Sequence, residues 1–154
     1  MENKNEPLSL TALIPIIREL TAKGEEFELK PHGRSMLPTI KEGRDTVLFC
    51  RAEPPYTRGD LLLFCRDDGT PVLHRLVDFT PEGKLVMRGD AQFFIETIDE
   101  SQVVAAVKRY FRGKREIRTD APSTRRRTRW LLATYPIRVR WFSLKNKVKR
   151  VFKR

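Results

Sequence analysis

"DLLLFCRDDGTPVLHRLVDF", residues 60 to 79, decides the fold. Two apolar runs rich in leucine, valine and phenylalanine flank the turn signal Asp68-Gly69-Thr70-Pro71, which is how a sequence writes two short strands and a reversal. The same grammar continues on both sides. "FELKP", "DTVLFCR", "KLVMRGD" and "VVAAVKRYF" are further β-rich runs, parted by Lys41-Glu42-Gly43, Arg58-Gly59-Asp60 and Pro81-Glu82-Gly83. This spacing predicts a mainly β fold, a coiled antiparallel β-sheet domain over residues 26–112. Asp45 and Asp60, at strand starts, read as turn residues that hydrogen-bond to nearby backbone.

The flanks have a different period. Leu10, Leu13, Ile14, Ile17 and Leu20 follow a capping Ser9 at helical spacing, which predicts a short N-terminal helix within residues 1–25, with Pro15 as a kink or first-turn residue. After Tyr110, "RGKREIRTDAPSTRRRTR" carries charge without an apolar period, so residues 113–136 read as a basic linker or arm. From Ile137 the apolar residues Trp141, Leu144, Val148 and Val151 fall three or four apart among lysines and arginines. That predicts a basic amphipathic helix over 137–154.

The 154 residues carry a formal net charge of +11. It is concentrated: from Lys108 onward there are 18 Lys/Arg against 2 Asp/Glu, while the preceding part is mildly acidic. A basic amphipathic helix with Trp141 and Phe152 on its apolar side suits an anionic membrane surface, favoured here over nucleic acid and over packing on its own domain. Cys50 and Cys65 lack the short Cys or His pairs of a zinc site and read as buried thiols on neighbouring strands. No metal and no cofactor is expected. The first ten residues lack a signal-peptide pattern, and no run approaches the roughly 20 apolar residues of a spanning helix. The expected location is cytoplasmic, at most peripheral on the inner face of the membrane.

One stretch belongs to neither the core nor an ordinary loop. "GRSMLPTI", Gly33 to Ile40, sets Ser35 between a glycine that permits an unusual dihedral and Pro38, which fixes the chain beyond. A tight turn here would present the Ser35 hydroxyl and N–H together, as a nucleophile and an oxyanion donor require. Only two histidines are available as base. His74 lies mid-strand, on the face of Val72, Leu76 and Asp78 by alternation, and a rigid strand is a good platform for a base. His32, three residues before Ser35, is the rival.

"GRSMLPTIKEG" resembles the nucleophile box of the signal peptidase I and LexA-like serine peptidase superfamily. "RGDLLLF", "VLHRLV" and "VMRGDAQ" resemble the boxes that follow it, in the same order, across Gly33 to Gln92. The resemblance implies a groove that binds peptide in extended form and small side chains at the cleavage site. It also implies Ser35 as nucleophile, with Gly33 and Met36 in the nucleophile and oxyanion loop. Histidine followed by arginine, His74-Arg75, is similar to the endoplasmic-reticulum and sporulation-type signal peptidases, whereas bacterial and LexA-like relatives carry lysine. The resemblance therefore points to His74 as the base, with Asp90, from the Gly-Asp segment, as the first choice of orienting carboxylate and Glu96 as the second. The chain departs from the pattern at Arg44, which lengthens a Gly-Asp turn, and at Gly33, where some relatives have an oxyanion-hole serine. The family's N-terminal membrane anchor is not expected from these residues. The expected activity is serine endopeptidase, acting on a peptide or protein substrate. The alternatives are a non-catalytic peptide-binding module of the same fold and a LexA-like self-cleaving regulator.

Overall fold

A computed structural model describes residues 9–151, and the side chains of residues 9–140. The chain forms α1 (Leu10–Ala22), β1 (Phe27–Leu29), β2 (Asp45–Cys50), β3 (Leu61–Cys65), β4 (Pro71–Phe79), β5 (Leu85–Arg88), β6 (Glu96–Ile98), a 3-10 turn Glu100–Gln102, β7 (Val103–Arg112), β8 (Arg115–Arg118) and α2 (Pro122–Val151). The strands make one antiparallel sheet of eight in the order β1-β2-β7-β3-β4-β5-β6, with β8 paired to β7. Mainly β with a helix at each end is the architecture that the apolar runs and turn residues predict.

Alternation along the strands sends side chains to two apolar clusters. Leu61, Leu63, Val47, Phe49 and Tyr110 meet Met36, Ile40 and the α1 residues Ile14 and Ile17 in one. Leu62, Phe64, Leu76, Leu85, Met87 and Ile98 form the other. Ser9 caps α1, accepting the Ala12 N–H at 3.3 Å, and Pro15 sits inside the helix rather than in its first turn. Asp45 accepts the Lys41 N–H at 2.9 Å and Asp60 accepts the Thr57 N–H at 2.8 Å, so both hold turns. Arg44, the extra residue of its turn, is bidentate on the Asp45 carboxylate at 2.6 and 2.7 Å.

Two expectations are corrected. Cys50 and Cys65 are half-buried, and β7 lies between their strands, so they are not neighbours. The segment read as a linker over 113–136 is instead strand and helix: β8 folds back on β7 across Gly113-Lys114, and α2 begins at Pro122. Proline is well placed to open a helix, since the first N–H groups have no partner there. The face that docks α2 is mostly not aliphatic, which is why its period escaped notice. Thr128, Leu131, Tyr135 and Arg138 stand three or four apart and all meet the body. The backbone of α2 continues helical to Val151, while the apolar face expected from Trp141 to Phe152 lies outside the described side chains. Among the described residues no helix is long and apolar enough to cross a membrane.

Candidate active site

The Ser35 loop is held by its backbone and leaves its chemistry free. The Ser35 carbonyl accepts the Ala91 N–H at 2.8 Å, whereas its hydroxyl and its own N–H have no hydrogen-bond partner among the described residues. At the front of the loop the Glu42 carboxylate accepts from the Gly33 N–H at 3.0 Å and lies 2.9 Å from His32 Nδ1. Gly33 has φ of +91° with nothing near its missing Cβ, so glycine is needed there for its dihedral. Behind Ser35, Met36 turns inward and is buried in the core.

Gly89 is needed for a different reason. A Cβ on it would lie 2.7 Å from the Ser35 carbonyl oxygen, so only glycine lets the two backbones approach. In the β4–β5 pairing Arg75 faces Arg88 and Leu76 faces Met87. β5 ends at Arg88, so Gly89, where the Ser35 carbonyl rests, is the first residue beyond the strand that pairs with β4, the strand of His74.

His74 is 1 % exposed. Its ring meets Phe64 edge to face, with centroids 6.0 Å apart. Nδ1 is buried without a hydrogen-bond partner among the described residues, and Glu96 Oε1 lies 3.5 Å from it. Buried polar atoms rarely stay unpaired, and a shift of about half an ångström would make this a hydrogen bond. Glu96 is held by Arg66, bidentate at 2.6 and 2.6 Å, which keeps its carboxyl below the usual range and ionised. Burial pushes the His74 pKa down to about 4, so the ring is neutral at physiological pH and keeps an acceptor nitrogen.

No family model, curated protein or solved structure matches the chain.

Asp90 does not hydrogen-bond to His74. Both of its oxygens receive Arg75, from Nε and Nη2 at 2.7 Å each, and Thr39 donates its hydroxyl to the same carboxylate. Arg75 also donates to the Gly59 carbonyl at 2.9 Å and to Thr128 of α2 at 3.3 Å. The His74-Arg75 dipeptide thus works on two sides of β4. The imidazole leaves by one face, while the guanidinium on the other clamps the Gly89-Asp90-Ala91 segment that holds the serine loop. Of the residues singled out in the sequence, Ser35 and Asp90 are brought together here through Gly89 and Ala91, while His74 meets Phe64 and Glu96. Glu96 reaches His74 from β6, and His32 stays exposed on Glu42, turned to a different partner.

Sequence reasoning missed Arg66, Arg75, Thr39 and Gly89 as parts of the site. Arg75 was accessible from alternation, since the residue after an inward histidine must face the other way. Arg66 left no such trace. Among the described residues no three His, Cys, Asp or Glu side chains come together so as to hold a metal ion. No hydrogen bond joins Ser35 to His74 among these residues.

The buried neutral imidazole has a consequence for stability. His74 binds its proton at about pH 6.5 when unfolded and only near pH 4 when folded, so between these values the unfolded chain holds the extra proton. Stability contributed by the neutral ring should be fully present above pH 6.5, fall as pH drops toward 4, and level off below it. The contribution is about 3 kcal/mol. Urea denaturation of wild type and His74→Gln across this range measures it, with the variant showing the shallower decline.

Proposed function

We propose that the chain is a serine endopeptidase of the signal peptidase I and LexA-like type, in its Ser/His branch. The observation that carries the reading is the corner at Gly89: a serine whose hydroxyl and N–H make no hydrogen bond among the described residues is pinned there by its carbonyl, just beyond the strand that pairs with β4, and on β4 a buried neutral histidine faces an ionised glutamate. In this reading Ser35 Oγ attacks a peptide carbonyl as His74 Nε2 takes its proton. The Ser35 N–H meets the oxyanion that develops. The imidazolium then gives the proton to the leaving amine; a water whose proton passes to the same base attacks the acyl-enzyme, and that proton returns to Ser35 Oγ as the ester bond breaks and the acid product leaves. Glu96 is the orienting carboxylate we favour over Asp90, because it faces Nδ1 while Asp90 is spent on Arg75 and Thr39. With Nδ1–H donating a hydrogen bond to the Glu96 carboxylate, Nε2 is the nitrogen left to accept a proton. A randomised peptide library read by mass spectrometry tests the reading: wild type should yield cleavage products, and Ser35→Ala none.

A second reading, a peptide-holding groove without a reaction, draws on the missing hydrogen bond between Ser35 and His74. It predicts that a fluorophosphonate leaves Ser35 unmodified.

The fold type, and a working place on the inner face of a membrane, are part of the same proposal. Between residues 122 and 140 of α2 there are six arginines and no acidic residue, while Trp130 is 61 % and Ile137 is 69 % exposed. Arginine beside exposed aromatic and aliphatic side chains is the composition of a surface that lies on anionic lipid. Replacing both Trp130 and Ile137 with aspartate should weaken co-sedimentation with phosphatidylserine vesicles at least tenfold. Unchanged binding would remove α2 from this role.

A further inference from the structure

The groove beside Ser35 is larger than a small side chain requires. It encloses about 300 Å³ and is walled by Leu10 and Leu13 of α1, Leu29 of β1, Met36, Leu63 of β3 and Leu73 of β4. One water needs only about 10–15 Å³ of such space, so the groove is many times larger, and the methyl of an alanine would leave most of it unfilled. Its rim is the chain from Leu29 to Gly33, which runs from the sheet's end strand, paired only to β2, into the serine loop. Ser35 itself lines the space, so whatever occupies it lies against that residue.

The wall that sets this size belongs to α1. Ile14 and Ile17 are buried in the core, and Arg18 donates to the Val103 carbonyl at 3.2 Å, so the helix is anchored one turn beyond Leu10 and Leu13. Those two leucines are only partly buried, packed against the core yet turned to the groove. An apolar, pre-formed recess of this kind gains from filling with apolar surface and offers little to a polar side chain.

We infer that the groove receives a large apolar side chain, leucine, methionine or phenylalanine, from the peptide whose carbonyl Ser35 attacks, and that Leu10 and Leu13 determine that preference. The inference rests on the peptidase reading, and it departs from the small residues that the resemblance alone implies. Each methylene placed in an apolar pocket discriminates by about tenfold or more, so leucine should exceed alanine by at least tenfold.

The test has two arms. Wild type cleaves a randomised peptide library, and the residues flanking each cut are counted by mass spectrometry. Enrichment of leucine, methionine or phenylalanine over alanine by at least tenfold at one flanking position is the expected result. Enrichment of alanine, glycine or serine there overturns the inference and leaves the peptidase reading intact. In the second arm, fluorescence anisotropy follows labelled decapeptides, matched except for leucine or alanine at one position, binding to full-length Ser35→Ala protein. Tighter binding of the leucine set by at least tenfold, lost in Leu13→Trp and in Leu10→Trp variants of unchanged denaturation midpoint, is expected. Equal affinity of the two sets overturns the inference even if no peptide is cleaved. Absence of both cleavage and Ser35 labelling, with leucine-selective binding retained, would overturn the reaction and keep the groove's preference.

Discussion

Ser35→Ala should lower peptide cleavage by about a million-fold, the loss that follows removal of the nucleophile or the base from a serine peptidase triad. The expected cost in stability is small, because the Ser35 hydroxyl makes no hydrogen bond among the described residues and the loop is held by the backbone contact to Ala91. His74→Gln should lower cleavage about as far. The two changes together should cost little more than either alone, since nucleophile and base act as one unit. Steady-state kinetics on a cleaved library peptide, with urea denaturation beside it, would check both halves. Independent, multiplicative losses would mean that the two side chains do not share a step. The acid limb of kcat/KM should lie near pH 4, where His74 gains its proton, with activity falling as the pH drops through that value.

The second large effect concerns stability. Asp90→Ala should destabilise the protein by about 3–5 kcal/mol, because it leaves the Arg75 guanidinium, 3 % exposed, without its counter-charge. The loss should extend to the serine loop, since Gly89 and Ala91 flank Asp90 and carry the contacts to the Ser35 carbonyl. Glu96→Gln should show the opposite pattern, with a modest change in denaturation midpoint and a loss of about ten-thousand-fold in turnover, as when the orienting carboxylate of a triad becomes an amide. If Asp90→Ala folds normally and loses only turnover, the roles of the two carboxylates are reversed.

The sheet was readable because each strand is a short apolar run closed by glycine, proline or aspartate, and period two survives local noise. β6, three residues long, and β8, charged at three of its four positions, carry no such run. They exist because β5 and β7 offer them open edges. The first half of α2 was hidden for a related reason: its inward face uses a threonine, a tyrosine and an arginine, whose partners are Arg75, Arg88 and backbone carbonyls rather than an apolar core. In the candidate site, the serine and the histidine stood out through motif and alternation. The resemblance ranks Asp90 above Glu96, whereas in the structure Asp90 is taken by Arg75 and Glu96 is the carboxylate that faces His74, because residue type and spacing do not show which arginine claims which acid. What separates them is that Arg75, on the far face of β4, and Arg66, at the end of β3, each claim one of them.

The central claim is that Ser35 is activated by His74, and labelling tests it without knowledge of the substrate. Purified protein is treated with a fluorophosphonate at pH 7, and the modified residue is located by mass spectrometry. The account predicts one adduct on Ser35 in the wild type and its loss in His74→Gln. An unmodified Ser35, or equal labelling with and without the histidine, would contradict it.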